Sequence, residues 1–337
     1  MPGTFPPRVV NQLGPEVRAA LDGFGSRLRI VDASRESDAP WDYAAAGFDR
    51  ADILLTGPSA GWKRAPAEPP AGWAADAPGA PRWVQIVSAG VDGFPPWLLR
   101  DRIVTCGRGD SAVPIAEYVL AALLLRTKRL DALRPGSPDA WRRDAAIITG
   151  AAPLGSLDGQ VLGLAGFGAI GQAVAARAHG FGLRVLAWRR GKWPAGGHGP
   201  VEPVDSLAEL ARRSDHLVLA LPLTEETAGC VNADVLLHAR PGLHLVNVAR
   251  GGLVDHAALL AALDRGQVGF ATLDVTSPEP LPAGHPFYSH PAVRLTPHLS
   301  WSGPVVRENS ARRIAENIER FFAGQPLRDV VDAARGY

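Results

Sequence analysis

The sequence predicts an α/β protein built on doubly wound parallel sheets, and three observations point there. A glycine-rich turn, Gly166-x-Gly168-x-x-Gly171, stands between the apolar run Val161 to Ala165 and an Ala- and Val-rich stretch suited to a helix. Short apolar runs of strand length recur along the chain, separated by segments of helical composition. The length of 337 residues exceeds a single-core size and suggests two domains.

The first hundred residues hold three buried-strand patterns, Arg27–Val31, Ala51–Leu55 and Trp83–Val87, with Pro15–Leu21 as a helix between them and Arg102–Cys106 as a further strand. The Pro-, Ala- and Gly-rich stretch Ala65–Pro81 reads as an irregular surface excursion. Ser88-Ala89-Gly90-Val91-Asp92 follows a strand directly. A glycine in such a turn aims several N–H groups at one place, which suits a carboxylate, and an ordinary turn is the competing reading. Ile115–Leu130 forms a strongly apolar helix that packs on the second domain or on another subunit. Arg134–Gly155 reads as loop-rich, and its Trp141 as local packing, a dimer contact or a lid.

The second domain begins near the glycine turn or at the helix before it. Gly166 lets the chain bend sharply, Gly168 lets backbone N–H groups approach a pyrophosphate, and Gly171 lets helix and strand pack closely. The phosphates then meet a helix N-terminus, where unpaired N–H groups and the dipole favour negative charge. Gly182–Trp188 is the next strand. Where NAD binders carry an acid for the ribose 2′-OH, this chain reads Trp188-Arg189-Arg190-Gly191-Lys192, three cations and no acid. That favours NADP, with a merely solvated turn as the other reading. Strands follow at His216–Leu221, Leu243–Val248, Gly269–Asp274 and Val293–Leu295, with helices at Ser206–Arg212, Asp234–His238 and Asp255–Asp264.

Composition narrows the function classes. A net charge of +1 creates no field for nucleic acid or a membrane surface, and the arginines lie among acids. Cys106 and Cys230 stand far apart with no metal-ligand spacing, as in a reduced intracellular protein, and no metal is expected. The N-terminus has no signal-peptide core, and the longest apolar run, near Val119–Leu125, falls short of a membrane span. A cytoplasmic protein is the expectation.

In a doubly wound sheet ligands gather at the carboxyl ends of the strands, and three polar groups fall at or just past such ends. Arg250, after Asn247-Val-Ala, offers a guanidinium that holds a carboxylate bidentately. Glu279 lies in the proline-bracketed turn Ser277-Pro-Glu-Pro-Leu-Pro282. His298 follows the last strand. A histidine beside a carboxylate has its cationic form favoured and is fitted to donate a proton to a carbonyl oxygen receiving hydride. Singly each has a bland reading as a solvated or turn residue; together they are far more specific.

Several segments resemble the D-isomer-specific 2-hydroxyacid dehydrogenase family: Gly166-Phe-Gly-Ala-Ile-Gly171, Leu221-Pro-Leu-Thr-Glu-Glu-Thr227, Asn247-Val-Ala-Arg-Gly-Gly-Leu-Val-Asp255, Leu273-Asp-Val275 with Glu279-Pro-Leu-Pro, and Thr296-Pro-His298. The resemblance covers residues 83–330 and is strongest from 155 to 300. It implies that Arg250 binds and polarises a 2-oxo acid, His298 donates the proton and Glu279 holds and tunes that histidine. The cofactor would lie along Gly166, Phe167, Gly168, Ala169, Ile170 and Gly171, then Trp188, Arg189 and Arg190, then Leu221, Pro222, Thr227, Val248 and Ala249. Asp274 would touch the nicotinamide carboxamide, and the backbone of Ala89, Gly90 and Val91 would clamp the substrate carboxylate.

It further implies two Rossmann-like domains. Residues 1–107 with 305–337 would form a flavodoxin-like substrate domain. Residues 108–304 would form an inserted dinucleotide-binding domain through which a homodimer assembles. Residues 188–193 are similar to those of the NADPH-using glyoxylate/hydroxypyruvate reductases. Cys106 departs from the family pattern, which carries Asn there in many members, followed by a Pro-Gly pair absent here. The expectation is an NADPH-dependent reductase of a small 2-oxo acid. Its rivals are an NAD-dependent enzyme, an enzyme for another and bulkier acid, and a nucleotide-sensing binding protein on the same scaffold. Formate or phosphite oxidation finds no feature in its favour.

Overall fold

The structure, a computed structural model, describes residues 6–43, 51–74, 77, 80–130, 132–150, 153–191, 193 and 199–337. Lys192 of the basic turn lies outside the described residues. Contacts divide the chain into two compact units, Met1–Ser111 with Gly303–Tyr337, and Ala112–Ser302.

The first unit runs β1 (Arg8–Asn11), α1 (Pro15–Asp22), β2 (Arg29–Asp32), β3 (Ile53–Thr56), α2 (Ala60–Lys63), β4 (Trp83–Ile86), α3 (Pro96–Leu99) and β5 (Ile103–Thr105), and it receives the long helix Pro304–Phe322 near the C-terminus. Its five parallel strands lie in the order β2-β1-β3-β4-β5, the flavodoxin-like arrangement. Side chains alternate across this sheet. Val9, Ile53, Leu55 and Trp83 meet Val17 and Leu21 of α1 and Ile314 and Ile318 of the returning helix. Val10, Leu54, Val84 and Ile86 meet an aromatic layer of Trp62, Trp73, Phe94 and Trp97. Burial on both faces is why β3 reads as an apolar run and β4 as one interrupted only by the buried Gln85.

The second unit runs α4 (Ala112–Lys128), α5 (Pro138–Thr149), β6 (Val161–Ala165), α6 (Ala169–Ala178), β7 (Arg184–Trp188), β8 (Glu202–Pro203), α7 (Leu207–Arg213), β9 (His216–Leu219), α8 (Ala233–Leu237), β10 (Leu243–Asn247), α9 (His256–Asp264), β11 (Val268–Leu273) and β12 (Val293–Leu295), after which α10 (Pro304–Phe322) rejoins the first unit. The parallel order is β12-β11-β10-β9-β6-β7-β8, so the direction of winding reverses between β6 and β9. That switch point is where a doubly wound sheet opens a crevice for ligands. Leu162, Leu164, Val185, Val218 and Val246 pack on Val119 and Leu123 of α4 and Val174 of α6. Leu217, Leu219 and Leu245 pack on Leu210, Leu236 and Leu259 of α7, α8 and α9.

One strand was absent from the sequence reading, and one segment needs correction. Arg8–Asn11, which shows only two consecutive apolar residues, is a strand in the interior of the first sheet. Within Arg134–Gly155, expected to be loop-rich, α5 is a helix of 12 residues. Ser137 accepts the Ala140 amide at 3.1 Å, Pro138 occupies the first turn and Asp139 complements the dipole. Trp141 on it is 67% exposed, which removes local packing as its role. Among the described residues, no helix is long and apolar enough to cross a membrane.

Candidate active site

The glycine turn links β6 to α6 as its spacing requires. Gly166 has φ +103°, and a Cβ there would stand 2.4 Å from the Ala220 carbonyl oxygen at the end of β9. Its amide donates to the Trp188 carbonyl at 2.8 Å, closing the turn onto β7. A Cβ on Gly171 would lie 2.3 Å from the Gly166 oxygen, so helix and turn touch. Gly168 differs: nothing stands within 4 Å of where its Cβ would be. It is also the N-cap of α6, contributes no side-chain cap, and is followed by no acid in the first turn. Open space beside an uncapped helix start, flanked by two glycines packed tight, fits a pyrophosphate.

Around this turn, Phe167 is buried and its ring lies 5.3 Å from that of Trp193. Trp188 ends β7, the Arg189 guanidinium lies 5.9 Å from the Trp193 ring centroid, and Arg190 forms an ion pair with Glu226. Leu221 follows β9 and is buried. The Thr227 hydroxyl donates to the Pro222 carbonyl at 2.7 Å and accepts the Thr224 amide at 2.8 Å, so it builds the turn that carries Glu226. Val248 and Ala249 are buried just past β10.

The three polar candidates sit at the carboxyl ends of β10, β11 and β12. Asn247 braces the first: its Oδ1 accepts the Ala249 amide at 3.1 Å and its Nδ2 donates to the Arg250 carbonyl at 2.9 Å. Arg250 Nη1 in turn donates to the Ala249 carbonyl at 2.7 Å. A Cβ on Gly251 would fall 2.0 Å from the Thr276 carbonyl carbon, so this loop lies directly on the one that carries Glu279. Glu279 Oε1 accepts the Thr276 amide at 3.1 Å, while Oε2 stands 3.0 Å from His298 Nδ1. Burial alone would raise the Glu279 carboxyl; the His298 hydrogen bond and charge, the Thr276 amide and the Arg250 charge outweigh it and hold the group below its ordinary range. The ring and the carboxylate are both partly exposed, 40% and 35%.

His298 has φ +52°, a left-handed conformation that only a few per cent of non-glycine residues adopt. Asp274 holds it there. Its carbonyl accepts the His298 amide at 2.9 Å. Its carboxylate accepts the Thr296 hydroxyl at 2.6 Å and the Leu299 and Ser300 amides at 2.9 Å each. At 1% exposure, Asp274 spends its carboxylate on organising the loop. Ala89–Val91 lies in the other unit, past β4, where Ser88 Oγ donates to the Gly90 carbonyl at 2.7 Å and the Val91 side chain is buried in the core.

Residues 130–300 match the family model described as D-isomer specific 2-hydroxyacid dehydrogenase, NAD binding domain. The chain belongs to the D-isomer specific 2-hydroxyacid dehydrogenase family. It is 37% identical over 180 residues to glyoxylate/hydroxypyruvate reductase A of Serratia proteamaculans, covering 53% of this chain and 57% of that one. The chain spans about half the length of the curated relatives it matches. Among solved structures, a D-isomer specific 2-hydroxyacid dehydrogenase from Xanthobacter autotrophicus in complex with NADPH and MES superposes with TM-score 0.75 at 29% identity, covering 99% and 100% of the two chains. An NADPH-dependent glyoxylate/hydroxypyruvate reductase from Sinorhizobium meliloti in complex with NADP and sulfate superposes at 0.74 with 27% identity, covering 98% and 100%.

Membership gives the geometry a frame, since family proteins bind a nicotinamide dinucleotide in this domain and the second unit contains the matched residues. Four residues with evident local roles were not singled out by sequence reasoning: Asn247, Gly251, Thr296 and Tyr118. Asn247 and Gly251 stand inside a recognised motif, which was the available signal. Nothing in the sequence joins Tyr118 to Thr296, 178 residues away, although their hydroxyls lie 2.6 Å apart.

Proposed function

We propose that the protein reduces a small 2-oxo acid to the corresponding D-2-hydroxy acid with NADPH, glyoxylate and hydroxypyruvate being the first substrates to test. One observation carries the reading: the His298–Glu279 pair and Arg250 occupy adjacent strand-end loops of the unit that holds the glycine turn. The bound nicotinamide supplies a hydride to C2 of the acid. Arg250 offers a bidentate guanidinium to the substrate's oxygens and polarises the 2-oxo group. With Nδ1 directed at Glu279, His298 delivers its proton from Nε2 to the carbonyl oxygen as charge develops there. Glu279 keeps its own charge and so supports the imidazolium before transfer.

The coenzyme reading rests on Arg189 and Arg190 past β7, where an NAD site carries an acid, and on the two relatives described with NADPH or NADP. A homodimer assembled through the second unit belongs to the same reading; Leu130, Trp141 and Leu154 are large apolar side chains exposed there. The test is steady-state oxidation of NADPH and of NADH with glyoxylate, hydroxypyruvate and pyruvate. NADPH-preferring turnover supports the reaction and coenzyme readings. NADH preference would remove the coenzyme assignment alone, and no turnover across a wider 2-oxo acid panel would leave a nucleotide-binding protein.

A further inference from the structure

His298 stands in a conformation that a non-glycine residue keeps only where its surroundings over-determine it. The restraints on both sides of it converge on one carboxylate. Thr296, two residues before, and Leu299 and Ser300, immediately after, all donate to Asp274. The Thr296 hydroxyl has one proton, and a carboxylate only accepts, so that proton points at Asp274 Oδ1. The hydroxyl of Tyr118, 2.6 Å from Thr296 Oγ1, is therefore the donor in that contact. Tyr118 lies on α4, in the same unit. Burial lifts its phenol above the ordinary range, and it remains a neutral donor at working pH. The result is a directed chain, Tyr118 to Thr296 to Asp274, that ties the loop of His298 to a long helix packed in the core.

We propose that Tyr118 is a positioning residue for His298, acting through Thr296. The proposal rests on the reductase reading for its kinetic arm only. Polarisation along a hydrogen-bonded chain strengthens each member, and the Thr296 proton stays aimed at Asp274 because its lone pair is occupied by Tyr118. Without the phenol hydroxyl Thr296 keeps only its bond to Asp274 and loses its tie to α4, the loop samples other conformations, and His298 is out of register for proton transfer in part of the population. A small misplacement of a catalytic group lowers turnover more than substrate binding.

The experiment compares Tyr118→Phe, Thr296→Val, their combination and Thr296→Ser. Two readouts apply: steady-state kinetics with NADPH and a 2-oxo acid, and amide hydrogen exchange over residues 298–300 in the free protein. Tyr118→Phe and Thr296→Val are each expected to lower kcat by about tenfold, the scale of one hydrogen bond, with KM changed less than about twofold. Exchange at residues 298–300 rises while the core strands β6 and β9 are unchanged. The double variant is no worse than the worse single one, because both cut the same chain, and Thr296→Ser stays near the parent. Additive effects, unchanged exchange at residues 298–300, or exchange that rises throughout the second unit would each overturn the proposal. Should the parent protein show no turnover, the reductase reading fails, and the exchange arm alone decides the tie.

Discussion

Glu279 Oε2 stands 3.0 Å from His298 Nδ1 while its other oxygen accepts the Thr276 amide, so the carboxylate is fixed before it meets the ring. Burial works to raise Glu279, yet its partners hold it below the ordinary carboxylate range. It therefore stays ionised over the whole neutral range and loses its charge only as pH falls through that lowered value. Glu279→Gln keeps the shape and removes the charge. Reduction at neutral pH is expected to fall roughly ten- to a hundredfold, the scale of a charge-assisted hydrogen bond. The loss of rate as pH falls through the lowered Glu279 value should be absent from the variant, which has no carboxylate to protonate. An unchanged profile in the variant would show that the pair does not act in the proton transfer.

The glycine turn separates structural from ligand-facing glycines. Gly166→Ala puts a Cβ 2.4 Å from the Ala220 oxygen at φ +103°, and both the strain and the clash are with backbone. It should lower the melting temperature, with a cost of about 2 kcal/mol or more. Gly168→Ala meets nothing within 4 Å and has φ −87°, so the free protein should melt as before. Its methyl group occupies the space assigned to the pyrophosphate, and NADPH affinity measured by fluorescence titration should fall at least about tenfold. Unaltered affinity in Gly168→Ala would place the dinucleotide elsewhere.

The basic turn is not a uniform patch. Arg190 is paired with Glu226, whereas Arg189 lies toward the Trp193 ring. Arg189→Ala should lower kcat/KM for NADPH by about tenfold or more and leave NADH nearly unchanged, because only NADPH carries the 2′-phosphate. Arg190→Ala should cost less, since its charge is already offset by an acid. Equal losses with the two coenzymes would make the turn a solvated surface feature.

Strands buried on both faces were legible because they leave nearly unbroken apolar runs, as in Ile53–Thr56 and Val161–Ala165. Arg8–Asn11 escaped notice because Arg8 and Asn11 bracket only two apolar residues; Asn11 is buried because its amide is bonded to Gly14 and Asp32. The helix Pro138–Thr149 carried its start signal, Ser137-Pro138-Asp139, but is exposed over most of its length, and Trp141 and Ala145, one turn apart, stay exposed rather than joining a core. In the candidate site, residues inside compact motifs were readable one by one. Contacts across distant segments were not, because periodicity and spacing report local geometry only: Tyr118 with Thr296, or Gly251 against Thr276, exists only once the sheet is assembled.

At the amino ends of β9 and β10, far along the strands from the candidate site, His216 and His244 form a buried pair. Their Nδ1 atoms are 3.2 Å apart, His216 Nε2 is 2.7 Å from Gln160 Oε1, and His244 Nε2 is 2.9 Å from Thr272 Oγ1. The amide oxygen only accepts, so His216 carries its proton on Nε2 and its Nδ1 accepts from His244, whose Nε2 accepts the threonine hydroxyl. One neutral tautomer of each ring satisfies the chain, and adding a proton breaks it. Burial pushes His216 down from 6.5 to about 4, opposed by Asp215 and aided by Arg126. Burial, then His216 and Arg126, pushes His244 well below its ordinary value. Between pH 6.5 and about 4 the unfolded chain holds more protons than the folded one, so stability must fall as pH falls. His216 alone corresponds to roughly 3 kcal/mol lost across that window. The double substitution His216→Leu with His244→Leu should flatten this part of the profile of unfolding free energy against pH, whatever its effect at neutral pH. A slope between pH 6.5 and 4 that persists in the double variant would assign the acid sensitivity to the carboxylates instead.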